Sequence, residues 1–220
     1  MLLAAVLVLA GSVLEAAAAD TDEALTEDLA GRGGRAVELV TLTVSQSGDI
    51  TGVVLVVVVA AVVSRHRRRW RDLAFVGVAL TLELTVFMAV ATAVGRDRPP
   101  VPAADAPPAT GSFPSGHAAA AMVGFGALAA LVPVGRPQAR RAAQVIAGLA
   151  AVGVGLSRLA RGHHRISEVV AGLVLGSVVL AAIHAVARRD GWSPRDPPEA
   201  SPEREGRYRA ADMAQVRDED

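Results

Sequence analysis

LAFVGVALTLELTVFMAVATAVG, residues 73–95, is apolar apart from its threonines and Glu83. As a helix it is long enough to cross the roughly 30 Å hydrocarbon layer of a bilayer. On its near side, residues 64–72 are densely basic: Arg65, Arg67, Arg68, Arg69 and Arg71, with His66. On its far side, residues 96–115 hold Pro99, Pro100, Pro102, Pro107, Pro108 and Pro114. Proline lacks the N–H and fixes φ, so this stretch reads as a loop.

Outward from it, residues 50–63, 116–134, 142–156 and 168–187 are further apolar stretches. Residues 1–19 are apolar except for Glu15 and lack a basic start, which favours a retained helix over a cleaved signal. Residues 20–49 are mixed and polar, an extramembrane connection with an amphipathic part around 37–44. Residues 192–220 are charged and bury little, the composition of a disordered tail. The expected fold is an all-α polytopic membrane helix bundle of about six spans. Its expected parts are an N-terminal helix and connection over 1–49, a catalytic domain over 50–187 and a cytoplasmic tail over 188–220.

Composition agrees. Hydrophobic residues make up 52% of the 220 and aromatics only 3%, an aliphatic balance suited to lipid. Cysteine is absent, which excludes disulfides and thiolate metal sites. Formal net charge is zero, so no global field suggests a nucleic-acid partner. All the basic residues are Arg, and they are segregated. Positive loops mark the cytoplasmic side. Residues 65–71, 136–141 and 188–189 then lie inside, and the loops at 96–115 and 157–167 share the opposite face.

Those two outer loops hold the candidate chemistry: Arg96-Asp97-Arg98-Pro99, then Pro114-Ser115-Gly116-His117, then Ser157-Arg158 with His163, His164 and Glu168. Arg grips phosphoryl oxygens through its planar fork. A Ser-Gly turn opening a helix offers backbone N–H groups to an anion. One His can attack phosphorus while another protonates the leaving oxygen. His164 and Glu168 are four apart, a spacing that on a helix shares a face; His163 would point about 100° away. Simpler readings attach to the rest. Arg161 and Arg165 read as headgroup anchors, His66 as solvated, His184 as interfacial and Asp97 as a local charge partner. Glu83 is either functional or a neutral acid bonded to a neighbouring helix.

These motifs resemble the type 2 phosphatidic acid phosphatase (PAP2) superfamily over roughly residues 50–187. Pro114, Ser115, Gly116 and His117 match its second motif completely. Ser157, Arg158 and His164 match the third, with Glu168 where the family has Asp. Arg98-Pro99 matches the first, with Ala91 where the family has Lys. The resemblance implies a membrane phosphatase acting on a lipid phosphomonoester or diphosphate, of phosphatidate or prenyl diphosphate type. His164 would form a phosphohistidine, Glu168 orient it and His117 protonate the leaving group. Arg98, Arg158, Ser115 and Gly116 would bind the phosphoryl group, and Arg96 is a further candidate that could replace the missing Lys. No metal or cofactor is implied. Alternatives on the same scaffold are a lipid phosphotransferase and a non-catalytic phospholipid-binding or transport protein.

Overall fold

The computed structural model describes residues 35–101, 103, 110–133 and 135–189. Nearer the N-terminus it describes Asp22, Ala24, Thr26, Glu27 and Asp28. The expected helix over 1–19 and the tail beyond 189 lie outside the described residues. The ordered elements are α1 (Arg35–Gln46), α2 (Ile50–His66), α3 (Trp70–Val94), α4 (Gly116–Ala130), α5 (Pro137–Ala160) and α6 (Ile166–Arg189).

Local sequence sets the breaks. Helix α2 starts at Asp49, whose side chain accepts from the Ile50 N–H at 2.7 Å. Helix α3 ends at Gly95, in the left-handed region at φ +60°, with its N–H returned to the Ala91 carbonyl. Pro99 and Pro100 follow and bar any continuation. Helix α5 opens on Pro137, at a position where a missing N–H costs nothing.

Among the described residues, α3, α5 and α6 are long and apolar enough to cross a membrane. Helices α1 and α2 form a further span if the pair, bent by 53°, is counted as one. Helix α4 is apolar but only 15 residues long. The described chain therefore provides three to four spans; the expected number of about six does not emerge from it. Residues 35–46, read as part of an extramembrane connection, instead form a helix packed against α5.

Helix α4 is the hub and packs on α2, α3, α5 and α6. Its small residues let the others come close. A methyl added at Gly172 of α6 would fall 2.3 Å from the Ser115 carbonyl oxygen, and one at Gly176 2.8 Å from the Ala119 oxygen. Tight backbone approach of this kind is how helices associate in lipid. The core between them includes Phe75, Ala79, Phe113, Ala119, Val123 and Leu175. The outer faces carry exposed aliphatics such as Leu55, Val62, Leu84, Ile146, Leu149 and Val170. Such surfaces are stable against lipid tails and costly in water. The chain is a multi-pass membrane protein.

Candidate active site

Glu168 is the centre of the polar cluster and is wholly buried. It sits in the first turn of α6. Its Oε2 accepts from the Arg165 backbone N–H at 3.1 Å and lies 3.0 Å from His164 Nδ1. Arg165 immediately precedes the helix, so Glu168 takes the third-residue role of a capping box. His164 lies just outside α6. The pair therefore does not share a helix face, as the spacing alone implied; the carboxylate reaches back past the helix start.

The other oxygen, Oε1, accepts from Ser112 Oγ at 2.8 Å and from the Arg165 guanidinium at 3.1 Å. Arg96 pairs with it at 3.5 Å. Arg96 also pairs with Asp22 at 3.6 Å and donates to Ser167 Oγ at 3.0 Å, and Ser167 Oγ hydrogen-bonds Asp22 in turn. A buried carboxylate needs such partners.

A cleft of about 610 Å³ opens beside this cluster, between α2 and α3 and across the start of α4. Arg98, Gly116, His117 and His164 line its polar end, and the rest is mostly apolar, with Asp49, Thr81 and Glu83 also in the lining. Arg98 is held by the carbonyls of His163 at 2.9 Å and Thr110 at 3.3 Å. Arg158 donates to Ser45 Oγ at 2.7 Å. It stands near enough to both His117 and His164 to act on their charge. Burial pushes the His164 imidazole below its ordinary pKa. The bond to Glu168 and its charge oppose this, and Arg98 and Arg158 add to the lowering.

The expected residues thus divide. His164, His117, Arg98 and Gly116 share the cleft wall, with Glu168 bonded behind His164. Gly116 leaves room for the Phe87 ring, which a Cβ there would meet at 2.8 Å and have to displace. The Ser115 N–H, expected to face phosphate, is taken by the Glu168 carbonyl at 2.9 Å. Its buried Oγ has no hydrogen-bond partner among the described residues. Arg96, the further phosphate candidate, ends instead on Glu168 and Asp22, because two buried carboxylates draw it more strongly than an open cleft. Ala91 is 1% exposed, so a Lys there would need the core to repack. Arg165, read as a headgroup anchor, is buried on Glu168 and on the Asp97 carbonyl, the latter at 2.8 Å.

Ser45 and Asp22 stand outside the motifs, and Ser112 begins the second polar cluster without a role that its local sequence reveals. Only Arg165 carried a local signal, lying three residues before Glu168.

No curated protein matches the chain. A crystal structure described as the first transmembrane PAP2 type phosphatidylglycerolphosphate phosphatase from Bacillus subtilis superposes with a TM-score of 0.75. It is 22% identical, covering 86% of this chain and 98% of that one. At that identity the likeness speaks for the fold. The PAP2 superfamily model matches residues 72–192, more than half of the sequence and all three motifs, and the chain belongs to that superfamily.

Proposed function

We propose that the protein is a membrane phosphatase that hydrolyses a lipid phosphomonoester or diphosphate through a phosphohistidine on His164. One observation carries this reading: His164 Nδ1 is tied to the buried Glu168 while the same ring lines a cleft shared with His117 and Arg98. The tie fixes the tautomer with the proton on Nδ1 and leaves the Nε2 lone pair to attack phosphorus.

In the first step Nε2 forms the N–P bond as the P–O bond to the leaving group breaks, and His117 gives that oxygen its proton. In the second, water attacks the phosphohistidine, His117 takes a proton from it, and phosphate leaves His164. Arg98 and Arg158 offset the charge on the equatorial oxygens, the task a divalent cation performs in other phosphatases. The apolar remainder of the cleft suits a lipid tail lying in the bilayer.

The orientation proposed with it puts residues 64–72 inside and the site on the extracytoplasmic face. A full count of six spans would add residues 1–19 and treat α4 and the α1–α2 pair as crossings. Residues 50–187 would form the catalytic unit and 188–220 a cytoplasmic tail. The neighbour's named activity makes phosphatidylglycerolphosphate a substrate to test beside phosphatidate and a prenyl diphosphate.

The deciding experiment is phosphate release by the purified protein from a chromogenic monoester and from these lipids, with a chelator present. Turnover that disappears in His164→Ala and persists in His163→Ala is expected. Trapping with labelled substrate should place acid-labile phosphate on His164. A fully active His164→Ala enzyme would overturn the reading.

A further inference from the structure

Glu83 lies in the middle of α3, is 4% exposed and lines the cleft. Among the described residues no hydrogen bond or ion pair reaches its carboxyl group. The bond to a neighbouring helix that would make it merely structural is therefore missing. Its cleft neighbours are aliphatic, Val53, Val57, Leu80 and Leu84 among them. Thr81 adds a hydroxyl, but that hydroxyl already donates to the Gly77 carbonyl at 2.9 Å. An ionisable side chain kept in such a place marks a ligand path more often than a structural need.

Its depth points to the ligand. The Phe87 ring packs against Gly116, at the polar end of the cleft. Glu83 is one helical turn before Phe87, about 6 Å farther along the axis from Arg98 and deeper in the hydrocarbon. A phosphate held by Arg98 beside His164 would put the next few bonds of its lipid at this level. In an acylglycerol phosphate those bonds carry glycerol and ester oxygens. In a prenyl phosphate they carry only hydrocarbon. A carboxyl group can accept from a hydroxyl and, as the neutral acid, donate to an ester carbonyl. Against a prenyl chain it would stay buried and unpaired.

Resting on the phosphatase reading, we propose that Glu83 is a specificity-determining residue: it hydrogen-bonds the glycerol-ester region of an acylglycerol phosphate and disfavours prenyl phosphates.

The test compares kcat/KM for dioleoyl phosphatidate, farnesyl monophosphate and a soluble chromogenic monoester in mixed micelles. Wild type, Glu83→Leu and Glu83→Gln are measured as full-length proteins. Wild type should prefer phosphatidate to the farnesyl ester. Glu83→Leu should lower the phosphatidate-to-farnesyl ratio about tenfold, the scale of one lost hydrogen bond. Glu83→Gln, which keeps a donor and an acceptor, should retain most of that ratio. A ratio unmoved in both variants, or all three substrates falling in parallel, would overturn the role of Glu83. A wild-type protein inert on all three substrates would instead bring down the phosphatase reading, and this inference with it.

Discussion

Glu168 holds His164 with one oxygen and Ser112 with the other, and Arg165 bonds both, through its backbone N–H and its guanidinium. The extra methylene relative to the Asp of the family motif lets it cap α6 and still reach the imidazole. Glu168→Gln removes the charge while nearly preserving shape, and leaves Arg96 and Arg165 facing a neutral amide. We expect kcat on a soluble monoester to fall by roughly 10²–10⁴, the scale for losing a carboxylate that orients a catalytic histidine. Glu168→Asp should keep more activity than Gln; the reverse order would argue against an orienting role. The pH dependence follows from His164. In the proposed mechanism, protonation would remove the attacking lone pair. Burial holds its pKa below the ordinary 6.5, so the neutral ring persists below that pH. The acid limb of kcat/KM, which reports on the free enzyme, should therefore fall below pH 6.5, and a limb above 6.5 would contradict the buried environment.

At the scale of elements, the α4–α6 contact sets the site. The Ser115 N–H donates to the Glu168 carbonyl at 2.9 Å, so the start of α4 and the first turn of α6 are locked together. One turn on, Gly172 leaves room for the Ser115 carbonyl. Gly172→Ala puts a methyl 2.3 Å from backbone oxygen, which cannot swing aside as a side chain would. The helices must part. We expect a stability loss of about 1–3 kcal/mol and a marked fall in activity. Gly148→Ala on α5 is the matched control, since nothing lies within 4 Å of its added methyl. It should be neutral or slightly stabilising through helix propensity. Thermal unfolding in detergent separates the two, and equal losses would show that α4–α6 proximity is not what matters. A second element-level tie runs from Asp22 through Arg96 to Glu168. Asp22→Ala and Arg96→Ala should each lower kcat on all substrates, and their effects should be coupled in a double-mutant cycle, as members of one buried network are. Full additivity would indicate two independent roles.

Over the whole molecule, charge and apolarity divide along the bundle. Arg67 on the basic side donates to the Leu131 carbonyl at the end of α4 at 2.6 Å. The clustered Arg and His residues of the site lie toward the other ends of α3 and α5. The orientation proposed from the positive-inside rule puts the basic side in the cytoplasm. Alkaline phosphatase fused after Val101 should be exported and active, and fused after Arg68 inactive. The opposite pattern would put the site in the cytoplasm and remove substrates presented on the outer leaflet from consideration.

The class of fold and the closeness of His164 to Glu168 could be read from the residues alone. Apolar run length sets what crosses a membrane, and the four-residue separation leaves His164 near enough to the first turn of α6 for the Glu168 carboxylate to reach back to it. The break after Gly95, before the proline-rich loop, was legible for a similarly local reason. What lies behind the carboxylate was not. Asp22, Ser112 and Arg96 reach Glu168 or one another over long stretches of chain, and no pattern in the primary structure encodes which distant helix ends meet. Arg96 and Arg165 were misread on that account: an Arg at a helix end looks the same whether it faces headgroups or turns inward to a buried anion. The bent pair formed by residues 35–66 also needed the tertiary structure, because its 53° bend leaves two runs that count as a span only when taken together. Glu83 shows the division most plainly. Its position in an apolar run could be read at once, but only the packing of α2 against α3 showed that its carboxyl group opens on the cleft.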